Sequence, residues 1–226
     1  LARVKKAMAC EPVDRAPVVF MGQGFAPRVM GMKMSDYCKD NEAAWQVKMD
    51  AMDRFPGFDA IMNVGGVGGV YLAPWWLSHV NIPGRELPED SLWQVQEAEL
   101  MTQDDYEAIV AQGWPAWQKA FIPKIADPAE LASIAAWNGA NRVRMFRECA
   151  EHGYAVVCSA VAPTLVPFEP LCGGRSFQQF IFDLHRIPDR VEAAMQAILE
   201  VELAGIKAAP EPNEGGSGVW VGGWRT

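Results

Sequence analysis

The chain has 226 residues, half of them hydrophobic and 21% charged, with a formal net charge of −8 at pH 7. This length and apolar content predict one domain, or two small ones, with a sizeable buried core rather than a disordered acidic chain. The negative charge argues against binding to nucleic acid or to an anionic membrane surface, because both need a basic face on the protein. It suits an enzyme, or a protein whose partner carries basic patches.

The cysteines and the hydropathy pattern predict the cellular compartment of the protein. The five cysteines are scattered, odd in number and contain no Cys-x-x-Cys pair, so they match neither a disulfide framework nor a zinc knuckle. We therefore expect a reducing, cytoplasmic environment. No signal-peptide pattern opens the chain, and no apolar run reaches the roughly 20 residues that a membrane-spanning helix needs.

Helical and extended patterns alternate along the chain. In chain order they predict a helix over residues 3–10, a strand over 17–21, a helix from about 36, a helix over 42–55, a strand over 59–64, helical stretches over 104–118 and 127–152, a strand over 154–160, helices over 177–184 and 189–208, and a strand over 218–222. Between them, residues 81–90 are dense in turn formers, and the alternation over 92–97 predicts a hairpin arm.

Strands that alternate with helices predict parallel pairing through right-handed crossovers. Four such strands are half of an eight-stranded barrel, which typically needs about 250 residues. The pattern therefore predicts an α/β fold that is either an open sheet or a fragment of a barrel. We interpret residues 1–226 as part of a single domain, with an inserted irregular and hairpin region at about 71–101.

Two stretches carry motifs that occur together in one known family. The first contains Val18-Val-Phe-Met-Gly-Gln-Gly-Phe-Ala26, Tyr37-Cys-Lys-Asp40 and residues 55–64. The second runs from Ala160-Val-Ala-Pro163 through Cys172-Gly-Gly174 to Ile187-Pro-Asp189. Together they resemble the opening and the third-strand region of the uroporphyrinogen decarboxylase (URO-D) superfamily. The resemblance implies a TIM (β/α)8 barrel of the URO-D-like type, of which this chain holds the N-terminal portion with only about the first four strands.

Four positions depart from the decarboxylase pattern. Gly22 and Ala26 stand where the family has two arginines that grip propionate groups, and Gly66 stands where it has an aspartate that faces the pyrrole nitrogens. Glu169 replaces a tyrosine. A tetrapyrrole with eight carboxylates needs cationic partners. The chain resembles the family but lacks these cationic residues, and this difference argues against tetrapyrrole decarboxylation.

Residues 82–97 look like a sister branch of the superfamily, the corrinoid-dependent methyltransferases of the O-demethylase type. That likeness implies an enzyme that demethylates a small methyl donor, such as a methoxylated aromatic or a similar methyl ether. The methyl group would pass to cobalamin, the corrinoid carried by a partner corrinoid protein. The branch binds zinc through a His-x-Cys motif that this chain lacks, so we predict no metal site here and zinc only through residues beyond this chain.

Two other functions stay open at this stage. One is a URO-D-like lyase acting on a small carboxylated substrate, and the other is a non-catalytic binding module. The oligomeric state is open as well, a homo-oligomer included.

Barrel active sites lie at the carboxyl ends of the strands, and this rule selects the candidate residues. We predict Glu169 as the catalytic proton donor, because its apolar neighbours would bury it and raise its pKa. The candidate substrate-binding residues are Gln23, Asn63, Gly66, Trp76, Trp224 and Arg225.

Each candidate also has a plainer interpretation. Glu169 would then be a surface glutamate, and Gln23 and Asn63 would satisfy loop backbone. Trp76 would pack in the core or in a lid. Gly65-Gly-Val-Gly-Gly69 matches no phosphate-binding pattern, so we interpret it as a tight turn or as backbone clearance for a substrate.

Overall fold

The computed structural model describes residues 1–158, 164–208, 216–218 and 221–222. In these ranges the helices are α1 (Ala2–Met8), α2 (Phe25–Met30), α3 (Met34–Tyr37), α4 (Asn41–Arg54), α5 (Ala73–Trp76), α6 (Asp104–Gln112), α7 (Trp114–Phe121), α8 (Pro128–Glu151), α9 (Phe168–Arg175), α10 (Phe177–Arg186) and α11 (Pro188–Ala208). The strands are β1 (Val19–Phe20), β2 (Ala60–Ile61), β3 (Val80–Asn81), β4 (Gln94–Val95), β5 (Ala155–Cys158), β6 (Thr164–Leu165), β7 (Gly216–Gly218) and β8 (Val221–Gly222). None of the helices in the described ranges is both long and apolar enough to cross a membrane.

A parallel sheet of four strands, in the order β1-β2-β5-β7, forms the centre of the fold. Its register pairs Val19 with Ala60, Ala60 with Ala155, and Val156 with Gly216. The strands follow one another across the sheet in chain order, whereas a doubly wound sheet reverses direction at a switch point. The helix-rich α/β class is therefore confirmed, and the strand order is compatible with the opening of a TIM barrel.

Most predicted helices form close to their predicted bounds, with informative exceptions. The stretch over 104–118 is two helices, because Gly113 between them adopts a φ of +81° that breaks the helical path. The sequence pattern did not predict α2, α5 or α9. Within the predicted fourth strand over 218–222, Gly218 belongs to β7, which joins the main sheet, and Val221 and Gly222 form β8, which pairs with β6.

The inserted region packs through a hairpin and a close backbone contact. β3 and β4 pair in antiparallel fashion, with Val80 opposite Val95. Next along the chain, the backbone N–H groups of Leu100 and Met101 both donate to the carbonyl oxygen of Gly174 in α9, at 2.9 and 2.7 Å. These bonds fix the end of the insertion against the region after β5.

A buried ion pair reinforces the same junction. Arg175 at the end of α9 donates from Nε to Asp183 of α10 at 2.6 Å, and both side chains are almost fully buried. The Arg175 guanidinium also donates to Glu99 and to the backbone oxygen of Met101. Burial by itself would raise the pKa of Asp183, but the hydrogen bonds, above all the one from Arg175, lower it below its usual value.

Gly173 lets α9 approach α5 backbone to backbone. A Cβ atom at this position would lie 1.7 Å from the carbonyl oxygen of Trp76, which is far inside contact distance. The hydroxyl of Ser78 donates to the carbonyl oxygens of both Trp76 and Gly173, at 2.9 and 3.1 Å, and thereby closes the junction. Only glycine fits here.

We expect Gly173→Ala to lower the free energy of unfolding by about 3 kcal/mol or more, because overpacking against rigid backbone forces the two helices apart. Gly139→Ala is the matched control, since Gly139 lies on the exposed face of α8 and a methyl group there would have no atom within 4 Å. That substitution should raise stability by up to about 1 kcal/mol through helix propensity. Urea denaturation of both variants tests the contrast, and equal effects would contradict the proposed close approach.

Candidate functional site

A cavity of about 180 Å³ opens at the carboxyl ends of β1 and β2. Its walls combine aromatic rings, neutral amides, a glycine-rich loop and one cationic side chain. The residues that line it are Phe20, Met21, Gln23, Tyr37, Lys48, Ile61, Asn63, Val64, Gly65, Gly66, Val67, Gly68, Tyr71, Trp75 and Asn138. Among these lining residues none is acidic and none is an arginine.

The loop after β2 is fixed by side chains from two helices. Asn41, at the start of α4, accepts a hydrogen bond from the N–H of Val67 at 3.2 Å. Asn138 of α8 accepts one from the N–H of Gly66 at 2.9 Å. These amides satisfy backbone donors in a turn that forms no ladder of its own, so the loop has a defined shape beside the cavity.

Gly66 leaves no room for a side chain. A Cβ atom there would meet the Oδ1 atom of Asn41 at 2.4 Å and the Cα atom of Asn41 at 3.0 Å. Gly66 occupies the position at which the resemblance places the decarboxylase aspartate. Because the side chain and the backbone of Asn41 fill that space, an aspartate could not replace Gly66 without a shift of α4 or of the loop.

Lys48 is the cationic group of the cavity. It projects from α4, and its Nζ atom donates to the carbonyl oxygens of Gly65 and Gly66 at 2.7 and 2.8 Å. In the part of the chain that the structure describes, no carboxylate forms an ion pair with it. Desolvation by the surrounding protein lowers the pKa of Lys48 from 10.5 to about 7.

Two tyrosines contribute to the lining of the same cavity. Tyr71 accepts a hydrogen bond from the Nε2 atom of Gln23 at 3.1 Å. Tyr37 is fully buried, and its hydroxyl has no hydrogen-bond partner among the described residues. Burial raises the pKa of both phenols, so both stay protonated at neutral pH.

The structure brings together three of the predicted site residues. Gln23, Asn63 and Gly66 all line the cavity. Trp76 and Glu169 lie apart from its lining and pair with each other, as the indole Nε1 of Trp76 donates to Oε2 of Glu169 at 2.9 Å. Glu169 is 1% exposed, so the expected burial is confirmed and the surface interpretation is wrong. Its catalytic role stays a prediction.

Trp224 and Arg225 lie outside the described residues, as does the Ala160-Val-Ala-Pro163 motif. Their assigned roles stay predictions. Within the ranges that the structure covers, no group of three or more His, Cys, Asp or Glu side chains is arranged to hold a metal ion.

Sequence reasoning missed Lys48, Tyr37, Tyr71 and Asn138. One signal for Lys48 was present, because Asn41 and Lys48 are seven residues apart and share a helical face with the buried residues Ala44 and Trp45. Polar residues on an apolar face have a partner in the interior, and here the partner is the glycine loop. The tyrosines and Asn138 gave no comparable local signal.

We expect Lys48→Met to stabilise the protein more at pH 6 than at pH 9.5. Below pH 7 the folded chain holds a buried ammonium. Between pH 7 and 10.5 Lys48 is neutral in the folded chain but still protonated in the unfolded chain. The free-energy cost of the buried ammonium is therefore lost as the pH rises through this interval. Each pKa unit corresponds to about 1.4 kcal/mol, so the difference between the variant and the parent should shrink by a few kcal/mol across this interval.

Lys39→Met is the control, because it removes an exposed lysine that lies outside the cavity lining. Unfolding free energies measured at both pH values decide the matter. A Lys48→Met effect that is the same at pH 6 and 9.5 would show that Lys48 keeps an ordinary pKa.

We expect Gly66→Ala to destabilise the protein by roughly 1–3 kcal/mol, because the new methyl group overlaps Asn41. Gly65→Ala is its neighbour control, since a Cβ atom there would meet only the Oδ1 atom of Asn138, at an ordinary 3.6 Å. Denaturation midpoints of the two variants should differ clearly. Equal midpoints would mean that the loop is not held against α4 as described.

Residues 1–67 match the family whose description is uroporphyrinogen decarboxylase (URO-D). The matched segment holds β1, α4, β2 and the first part of the glycine loop, and thus much of the cavity. Neither a curated protein nor a solved structure matches the chain significantly. Over residues 1–67 the match confirms the resemblance predicted from the sequence, and the resemblance of residues 160–189 stays a prediction.

Proposed function

We propose that this chain belongs to a methyltransferase that removes a methyl group from a small methylated compound, such as a methoxylated aromatic, and passes it to a corrinoid protein. The observation that carries the proposal is the composition of the cavity at the ends of β1 and β2. It offers aromatic walls and neutral hydrogen-bonding groups, and Gly66 stands at the position of the decarboxylase aspartate. Such a lining suits a small, flat and weakly charged molecule.

The size of the cavity supports a single-ring substrate. A cavity of about 150 Å³ is known to accept benzene, and this one measures about 180 Å³. A tetrapyrrole is several times larger and would need several cations for its carboxylates. Ala26, at one of the two arginine positions, is fully buried in α2 and could not be replaced by a long cationic side chain without repacking.

Ether demethylation leaves both bonding electrons on the departing oxygen, which must then take up a proton. Hydrogen-bond donors aimed at that oxygen stabilise the charge as it develops. Tyr71 is suited to this task, because its hydroxyl accepts from Gln23 and so has its own proton available for a substrate oxygen. Asn63 has an exposed side chain at the same opening and supplies a second donor.

A corrinoid carried by the partner protein would supply the electron pair for the new bond to the methyl carbon. The cavity is too small to enclose a corrinoid ring, which accords with a corrinoid that is carried by the partner and presented at the opening. The task of this chain is then to bind the methyl donor, to orient its oxygen towards Tyr71 and Asn63, and to exclude water from the reacting group.

A second candidate is a lyase that releases CO2 from a small carboxylated substrate. The observation in its favour is Lys48, a cation at the cavity with no carboxylate partner among the described residues. The two candidates differ in product, so one set of assays separates them.

The decisive measurement is the absorbance change of cob(I)alamin on methylation, under anaerobic conditions, with a methoxyarene as the methyl donor. The parent protein should methylate the corrinoid, and Gln23→Leu should lower the rate about tenfold, equivalent to about 1.4 kcal/mol in the barrier. Gln46→Leu is the matched control, because Gln46 lies on the exposed face of α4, where it bonds to Asp50. It should leave the rate unchanged.

Glu169→Gln tests the other predicted residue in the same assay. Loss of methyl transfer by more than tenfold, with stability retained, would support a proton-donating role. A stability loss alone would assign Glu169 to the anchoring of Trp76. Release of CO2 from a carboxylated substrate without methyl transfer would favour the lyase, and no turnover with several ethers would overturn the proposed function.

A further inference from the structure

Lys48 is a nucleophilic side chain that the proposed methyl transfer does not use. It lines the cavity at the ends of β1 and β2 together with aromatic rings and neutral amides. We propose that Lys48 is a covalent binding site for a single-ring aldehyde, which condenses with the Nζ amine to form an imine. This inference goes beyond the proposed function, because it needs neither a methyl donor nor a corrinoid.

The hydrogen bonds of Lys48 match those of a neutral amine. A neutral amine has two N–H groups and one lone pair, whereas an ammonium has three N–H groups and no lone pair. The Nζ atom donates to the carbonyl oxygens of Gly65 and Gly66 at 2.7 and 2.8 Å. These two acceptors satisfy both N–H groups of the neutral form and leave its lone pair for a molecule in the cavity.

The surroundings of Lys48 do not hold it in the charged form. None of the described residues that line the cavity is acidic, and no described carboxylate forms an ion pair with Nζ. The ring centre of Tyr37 lies 5.6 Å from Nζ and attracts a cation only weakly. Desolvation outweighs this attraction and lowers the pKa of Lys48 to about 7, so much of the amine is neutral and nucleophilic at neutral pH.

The side chain of Lys48 is fixed in position and open to the cavity. Asn41 and Asn138 accept hydrogen bonds from N–H groups of the glycine loop, and the carbonyl oxygens of that loop in turn hold Nζ. Lys48 keeps partial exposure, and it borders an enclosed space of about 180 Å³. A small molecule in this space therefore lies beside an amine that is already oriented, which favours reaction over that of a freely moving lysine.

The cavity suits a flat ring that carries a short electrophilic group. Phe20, Tyr71 and Trp75 contribute ring surfaces, and a cavity of similar size accepts benzene. The hydroxyl of Tyr71 accepts from Gln23 at 3.1 Å, so its own proton is available to polarise a carbonyl oxygen. An aldehyde is uncharged, which agrees with the neutral hydrogen-bonding groups of the lining.

Imine formation balances without a further reactant. The lone pair of Nζ forms a bond to the carbonyl carbon, and one amine proton passes to the carbonyl oxygen, which gives a carbinolamine. The C–O bond then breaks, the nitrogen lone pair completes the C=N bond, and the hydroxyl group leaves with the second amine proton as water. When the imine is protonated, its single N–H group can still donate to one of the two loop carbonyls. The condensation is reversible and changes no oxidation state.

Reductive trapping tests the proposal on the parent chain. The protein is incubated with benzaldehyde and cyanoborohydride at pH 7.5, which converts an imine into a stable secondary amine, and mass spectrometry of a digest identifies the modified lysines. Lys48 should be modified at least tenfold faster than Lys33. Lys33 is the internal control, because it is exposed and its ion pair with Glu89 at 2.6 Å raises its pKa.

Three further measurements separate the cavity from intrinsic reactivity. In concentrated urea the preference for Lys48 should vanish, because the unfolded chain has neither the cavity nor the loop carbonyls. Pyrene-1-carbaldehyde, whose four fused rings exceed the cavity, should show no preference for Lys48. Lys48→Gln, which keeps an amide donor for the loop, should abolish the fast modification with benzaldehyde, and Lys33→Gln should leave it unchanged.

Equal modification of Lys48 and Lys33 in the folded protein would overturn the inference, as would a preference for Lys48 that persists in urea or with the pyrene aldehyde. The trapping experiment needs no corrinoid, so its outcome is independent of the methyl-transfer assay. Selective trapping without methyl transfer would uphold the aldehyde site and reject the methyltransferase. Methyl transfer without selective trapping would do the reverse.

Discussion

The buried guanidinium of Arg175 is the constraint on which the arrangement of the inserted region depends. A buried charge is costly unless it is paired and fully hydrogen-bonded. Arg175 meets that requirement only when α10 supplies Asp183 and the insertion supplies Glu99 and the Met101 carbonyl. The ion pair therefore favours one placement of the insertion, because any other placement would leave a buried charge without a partner. Gly173 adds the steric condition, because its missing side chain lets α9 lie directly on the Trp76 backbone.

The inserted region also contributes to the cavity. The insertion begins immediately after the glycine loop and carries Tyr71 and Trp75 to the cavity wall. On the other side, Asn41 and Lys48 of α4 hold the loop itself. The cavity is thus formed where the end of β2, a helix before it and the insertion after it meet. Neither the helix nor the insertion would form such a site alone.

The chemistry of the cavity differs from what the family resemblance alone would suggest. Gly66 leaves no space for a carboxylate, and the described lining offers one lysine in place of arginines. The described lining also contains no acidic side chain, although the protein as a whole carries a net charge of −8. The family match over residues 1–67 and the cavity are both compatible with an enzyme that acts on a small molecule, and methyl transfer stays a proposal.

The sequence by itself determined the alternation of strands and helices, the resemblance to the URO-D family over residues 1–67, and the strand ends at which Gln23, Asn63 and Gly66 lie. These features follow from local periodicity and from motifs of contiguous residues. Only the tertiary structure decided that α9 is helical despite its two glycines, that Glu169 is buried against Trp76, and that Lys48 reaches the glycine loop. Each of these depends on a contact between residues more than 15 positions apart, and the packing of distant segments has no signature in local sequence.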